Sequence, residues 1–216
     1  MNRPMKPIKT KEAFARELKT SNMNILAVVV LSLVNVLMVL LDSSTYFPFC
    51  ASVPVYLTMI FSELCGMRSE EFYEAAYGPE WTSAEFLPSG LFWGVVVFAA
   101  IIIGVYFLLW YLSKKKKGAV TVLMVLYALD TIALLFFNVA VYEFQFMSII
   151  ELVFHAWVFY YLILALKALD GIEIAPTMAE LNGQYQALQG MTTPADVVDT
   201  PSDTDGATDA VDSDAE

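Results

Sequence analysis

The chain has 216 residues, 58% of them hydrophobic, with 12 Lys and Arg against 23 Asp and Glu for a formal net charge of −11. This apolar content exceeds ordinary soluble usage. The charge is unevenly spread: 12 bases and 12 acids cancel up to Leu169, and 11 acids with no Lys or Arg follow from Asp170. No basic patch with interleaved aromatics is present, which argues against a nucleic-acid partner.

Residues 1–23 form a basic leader, six Lys and Arg against Glu12 and Glu17. Over Lys11–Leu18 the spacing predicts a short helix with Phe14 and Leu18 on one face. Such a segment either lies on an anionic membrane surface or is a solvated leader that only sets orientation. Residues 24–41 are an 18-residue apolar run broken only by Ser32 and Asn35, near the lower limit of roughly 17–25 residues for a spanning helix. The leader contains acids and no small-x-small site follows Leu41, so the run reads as an uncleaved first span.

Residues 42–89 make the one large loop, with seven acids and a single base, Arg68. Pro48 and Pro54 divide its apolar first half. Proline suits the first turn of a helix and glycine the position just past its end, so Pro54 and Gly66 predict a helix over Val53–Leu64. Apolar on nearly every side, that helix is expected in the outer leaflet or against the bundle. A second helix is predicted over Glu70–Tyr77, capped by Ser69 and stopped by Gly78. Thr82 and Glu85 have capping-box spacing, and Trp81, Phe86 and Trp93 suit a membrane–water boundary.

The second span, residues 90–112, is 23 residues without a charge and ends in Trp110, Tyr111 and Leu112. Residues 113–118 then carry Lys114, Lys115, Lys116 and Lys117, a block that cannot cross a bilayer cheaply and marks a cytoplasmic, lipid-contacting turn. The third span covers 119–142, with Asp130 near its midpoint. Glu143–Gln145 is expected as a tight outer turn, and the fourth span covers 146–166, with Glu151 and His155. This threading puts 11 of the 12 Lys and Arg on one side, with both termini in the cytoplasm of a multi-pass plasma-membrane protein. In the acidic tail, residues 167–216, Met178, Leu181, Tyr185 and Leu188 form one helical stripe, with Thr177 and Glu180 as its cap and Gly183 weakening it. From Thr192 the composition predicts disorder.

Ionisable groups inside a membrane are costly and face protein or water. Asp130, Glu151 and His155, with Tyr127 and Tyr160, read either as a protonatable relay or as hydrogen-bonding glue between helices, together with Asn35 and Asn138. Counted from a turn at Phe144–Gln145, Asp130 and His155 are offset by about 6 Å along the axis. That leaves Tyr160 as the nearer partner of Asp130. A single histidine cannot supply the paired ligands of a membrane zinc hydrolase, and no phosphate-binding or nucleophile motif appears. No metal, cofactor or catalytic residue is expected. Cys50 and Cys65 are either a disulfide or two small buried hydrophobes.

The pattern Asn35-x-x-Met38, then Ser44-Thr45-Tyr46-Phe47-x-Phe49-x-Ala51-x-x-Pro54-x-Tyr56, resembles a group of small four-span membrane proteins of Gram-positive bacteria. The resemblance covers about the first 60 residues. It implies a bacterial plasma membrane and a similar outer helix after the first span, and carries over no functional residue.

The sequence thus predicts an all-α polytopic membrane protein, a four-transmembrane-helix bundle with an extracellular helical loop. Its expected role is a non-enzymatic accessory, scaffold or regulatory protein whose partners are the lipid bilayer and another membrane protein. The alternative is a small transporter or channel subunit using Asp130, Glu151 and His155.

Overall fold

The computed structural model describes residues 9–43, 45–83, 85–140 and 146–192. Among these every regular element is helical: α1 (Lys11–Leu40), α2 (Ser52–Leu64), α3 (Glu70–Tyr77), a 3-10 turn (Pro79–Ser83), α4 (Ser89–Ser113), α5 (Lys117–Ala140), α6 (Phe146–Ile174) and α7 (Met178–Thr192). Helices α1, α4, α5 and α6 are long and apolar enough to cross a membrane, whereas α2 is too short. The four long helices pack on one another, and α2 packs against α1, α4 and α5.

Two long helices exceed their predicted spans, for one shared reason. Helix α1 begins at Lys11, with Thr10 as its cap accepting from the Ala13 N–H, so the leader helix continues straight into the span. Helix α6 runs on to Ile174. These two overhangs cover each other. Phe14 and Leu18 pack into the core rather than facing away from it, and the Lys11 N–H donates to the Pro176 carbonyl at 3.0 Å. Small residues on α6 permit the approach: Ala165 and Ala168 are fully buried, and a Cβ added at Gly171 would lie 2.5 Å from the Phe14 ring. Close helix contacts in membrane proteins are commonly built on such small side chains. Gly171→Leu is therefore expected to cost about 1–3 kcal/mol by overpacking, read as a loss of thermal stability in detergent. Combining it with Phe14→Ala should restore most of that loss.

The lysine turn lies where expected, between Ser113 and Lys117. Lys117 pairs with Asp170 at 2.6 Å, but both side chains are more than half exposed, so the pair contributes no more than about 1 kcal/mol. At the opposite end, α3 has the predicted bounds, its Ser69 hydroxyl accepting from the Phe72 N–H and Gly78 closing it at φ 72°. Among the described residues the Thr82–Glu85 pattern opens no α-helix: the 3-10 turn ends at Ser83 and α4 starts at Ser89 without a side-chain cap. Trp81 and Phe86 instead stack around Tyr73, at 5.5 and 5.1 Å between ring centroids. Trp93 is exposed.

Residues 179–192, in α7, belong to a second compact unit. The expected tail is thus helical as far as Thr192, with Tyr185 exposed on its apolar stripe. The predicted outer turn at Glu143–Gln145 and the tail after Thr192 lie outside the described residues.

Candidate functional site

The loop after α1 turns back into the helical core before α2 begins. The segment 45–51 descends along α1 with no regular structure, so its backbone groups need partners from elsewhere. Asn35 supplies two of them. Its Nδ2 donates to the Phe47 carbonyl at 2.7 Å and its Oδ1 accepts from the Phe47 N–H at 2.8 Å. One helical turn away, the Ser32 hydroxyl accepts from the Ala51 N–H at 2.7 Å while donating to the Val28 carbonyl. Ser32 is eight residues before the end of α1, so the chain reaches about 12 Å below that end.

Helix α2 then starts inside the protein, and its cap comes from a distant helix. Ala51 stands at the cap position and offers no side-chain hydrogen bond. Asp130 of α5 fills the gap: its Oδ2 accepts from the Ser52 N–H and its Oδ1 from the Val53 N–H, both at 2.8 Å. The third residue of the helix is Pro54, which has no N–H to satisfy. A carboxylate at this end also opposes the positive pole of the helix dipole.

His155 of α6 completes the cap. Its Nδ1 lies 2.9 Å from the Glu151 main-chain oxygen, which can only accept, so Nδ1 carries a proton. Its Nε2 faces Asp130 Oδ2 at 3.2 Å and the Ser52 hydroxyl at 3.4 Å. With Nδ1 protonated, the Nε2–Oδ2 contact is a hydrogen bond only when one more proton sits between the two atoms. Whichever atom holds that proton, Asp130 and His155 together carry no net charge. Both are buried, at 2% and 1% exposure, a setting in which charges need a partner. The Tyr127 ring lies over the imidazole, nearly parallel at 4.8 Å.

Glu151 clamps the two limbs of the same hairpin. Tyr46 on the descending limb donates to Oε1 at 2.6 Å, and Tyr56 on α2 reaches Oε2 at 2.8 Å and Oε1 at 3.0 Å. Tyr56 also stacks on Phe137 of α5, and Phe49 packs edge-on against Phe154 of α6. The upper end of α2 is tied separately. Arg68 faces Asp42 at 3.1 Å, and Asp42 accepts from the Ser69 N–H at 3.0 Å. Burial pushes the nearby Glu63 carboxyl above its usual range, against the pull of Arg68.

Of the predicted site residues, Asp130, His155 and Tyr127 come together, and Glu151 joins them through the hairpin. Two expectations need correction. First, Tyr160 is 60% exposed on the outer face of α6. Across α5 and α6, His155 Nε2 lies 3.2 Å from Asp130 Oδ2, so the expected axial offset of about 6 Å is absent. Asp130 and His155 therefore meet directly. Second, a continuous Glu151–His155–Asp130 relay is not formed through side chains: His155 bonds to the Glu151 main chain, and the Glu151 carboxylate turns to the tyrosines.

Cys50 and Cys65 are buried free thiols at opposite ends of α2. The 13 residues of that helix hold them about 20 Å apart, far beyond the Cα separation of under about 7 Å that a disulfide spans. Lys114 has its ammonium 3.8 Å from the Trp110 ring centre, and Lys117 is the partner of Asp170.

Ser32, Tyr46, Ser52 and Tyr56 were not among the predicted site residues. The signal lay in the Asn35 to Tyr56 pattern, whose Asn35, Tyr46, Phe47, Ala51, Pro54 and Tyr56 all turn out to fix the hairpin. Beside the Asp130 cap, a cleft of about 250 Å³ opens sideways between α4 and α5. Its rim is formed by the exposed Ile101, Val105 and Leu129, so it opens on an apolar helix surface. Among the described residues no group of three or more His, Cys, Asp or Glu converges to hold a metal. Searches against protein-family models, curated proteins and solved structures found no match.

Proposed function

We propose that the protein is a four-span plasma-membrane protein, both termini cytoplasmic, acting as a non-enzymatic scaffold or accessory to another membrane protein. The threading is supported by the shared end at which the lysine turn, the start of α1 and the close of α6 meet, against the acidic loop at the other. The scaffold role is supported by one observation above all. The buried ionisable groups are engaged in holding a re-entrant hairpin: Asp130 with two backbone N–H groups and His155, Glu151 with two tyrosines. A group that moves protons or ions needs a free valence and a route to water. These groups are instead closed on each other, and the neighbouring cleft has an apolar rim.

The test has two arms. Photo-crosslinking residues placed at exposed positions of α4 and α5, such as Phe98 or Ile132, should trap one reproducible membrane-protein partner in intact cells. In parallel, purified protein in liposomes should leave an imposed proton or cation gradient unchanged. A flux abolished by Asp130→Asn in a folded protein would overturn the reading in favour of transport.

A further inference from the structure

A second site lies at the lysine end, well away from the hairpin. Helices α1 and α4 part there to leave a groove of about 370 Å³, whose lining includes Ala15, Lys19, Met23, Trp110 and Lys114. The groove is rigid where it matters. The Trp110 indole N–H donates to the Asn22 carbonyl at 2.8 Å, and the Ser113 hydroxyl donates to Asn22 Oδ1 at 2.8 Å. The indole is thereby fixed as a wall, and the Lys114 ammonium rests on its face. Lys19 and Lys114 are both exposed, and among the described residues neither has a carboxylate within ion-pair distance.

Two cations above an apolar slot match one kind of molecule abundant in a bilayer. We propose that this groove binds one anionic phospholipid, its phosphate between Lys19 and Lys114 and an acyl chain along Trp110 and Met23. The amphipathic match is specific in its order: Lys19 precedes Met23 by one turn of α1, and Lys114 follows Trp110 by one turn of α4. Both helices therefore present cation and apolar surface in the same sequence along the axis, as a lipid entering from its headgroup side requires. Basic pockets between spanning helices bind lipid headgroups on these terms. The inference rests on the membrane-spanning reading but not on the scaffold role, and neither arm of the experiment above bears on it.

Native mass spectrometry of the full-length protein, released from detergent with phosphatidylglycerol, phosphatidylcholine or inorganic phosphate, tests it. One phosphatidylglycerol should be retained per chain, with little phosphatidylcholine and no phosphate. Lys19→Gln with Lys114→Gln should weaken retention about tenfold or more, and Lys115→Gln with Lys116→Gln, the same change of charge outside the groove, should not. Ala15→Trp, which fills the headgroup end of the groove without altering charge, should also abolish retention. Equal losses in the two lysine pairs, equal retention of phosphatidylcholine, retention of free phosphate, or no effect of Ala15→Trp would each overturn the proposal.

Discussion

Asp130→Ala should lower the free energy of unfolding by about 3–5 kcal/mol, the range for leaving one member of a buried ionic pair without its partner. The substitution strips both N–H groups at the start of α2 of their acceptor and leaves His155 Nε2 with the Ser52 hydroxyl but without its carboxylate. The magnitude discriminates between roles. Hydrogen bonds that merely join membrane helices average about 0.6 kcal/mol, so a loss below about 1 kcal/mol would reduce Asp130 to ordinary glue. Asp130→Asn should fall between, because it retains an acceptor for one N–H but turns an amide donor toward the other. His155→Leu added to Asp130→Ala should recover part of the loss, since removing both partners is cheaper than orphaning one. Steric-trap unfolding in bicelles measures each of these values.

Asn35→Leu should be the next most damaging change, at about 2–4 kcal/mol. Its amide is the partner of both the N–H and the C=O of Phe47, and a backbone group left unsatisfied away from water costs several kcal/mol before relaxation. Asn35→Asp should not recover the loss, because a carboxylate still accepts from the Phe47 N–H but sets its other oxygen, and a buried charge, against the Phe47 carbonyl. Asn138 makes a useful contrast. Its Nδ2 bonds within its own helix to Leu134, and its Oδ1 accepts from Ser148 at 2.5 Å. Asn138→Leu removes no partner from an irregular segment and should cost about 1 kcal/mol. If the two asparagines proved equally tolerant, the descending limb would not depend on Asn35.

The four long helices were legible because uninterrupted apolar runs and clustered lysines are local signals. So were α3 and the bounds of α2, where Ser69, Pro54, Gly66 and Gly78 act within a turn of their own positions. The depth of α2 was not legible. Its cap is a carboxylate 78 residues away, and a helix that starts after Ala51 carries no local sign of where it sits. The pairing of Asp130 with His155 was missed for a related reason: it depends on the axial register of α5 against α6, which hydropathy leaves loose by a turn. The extensions of α1 and α6 were hidden by charge. Lys11, Arg16 and Lys19 suggested a separate leader, whereas the decisive residues were Phe14 and the small Ala165, Ala168 and Gly171 that receive it.

Amide hydrogen exchange at Ser52 and Val53, followed by NMR in lipid nanodiscs, tests directly whether a helix begins inside the bundle on a borrowed carboxylate. Both amides should exchange as slowly as those of the long helices in the native protein and lose that protection in Asp130→Ala. Exchange at the rate of an open loop in the native protein, or protection indifferent to Asp130, would contradict the account.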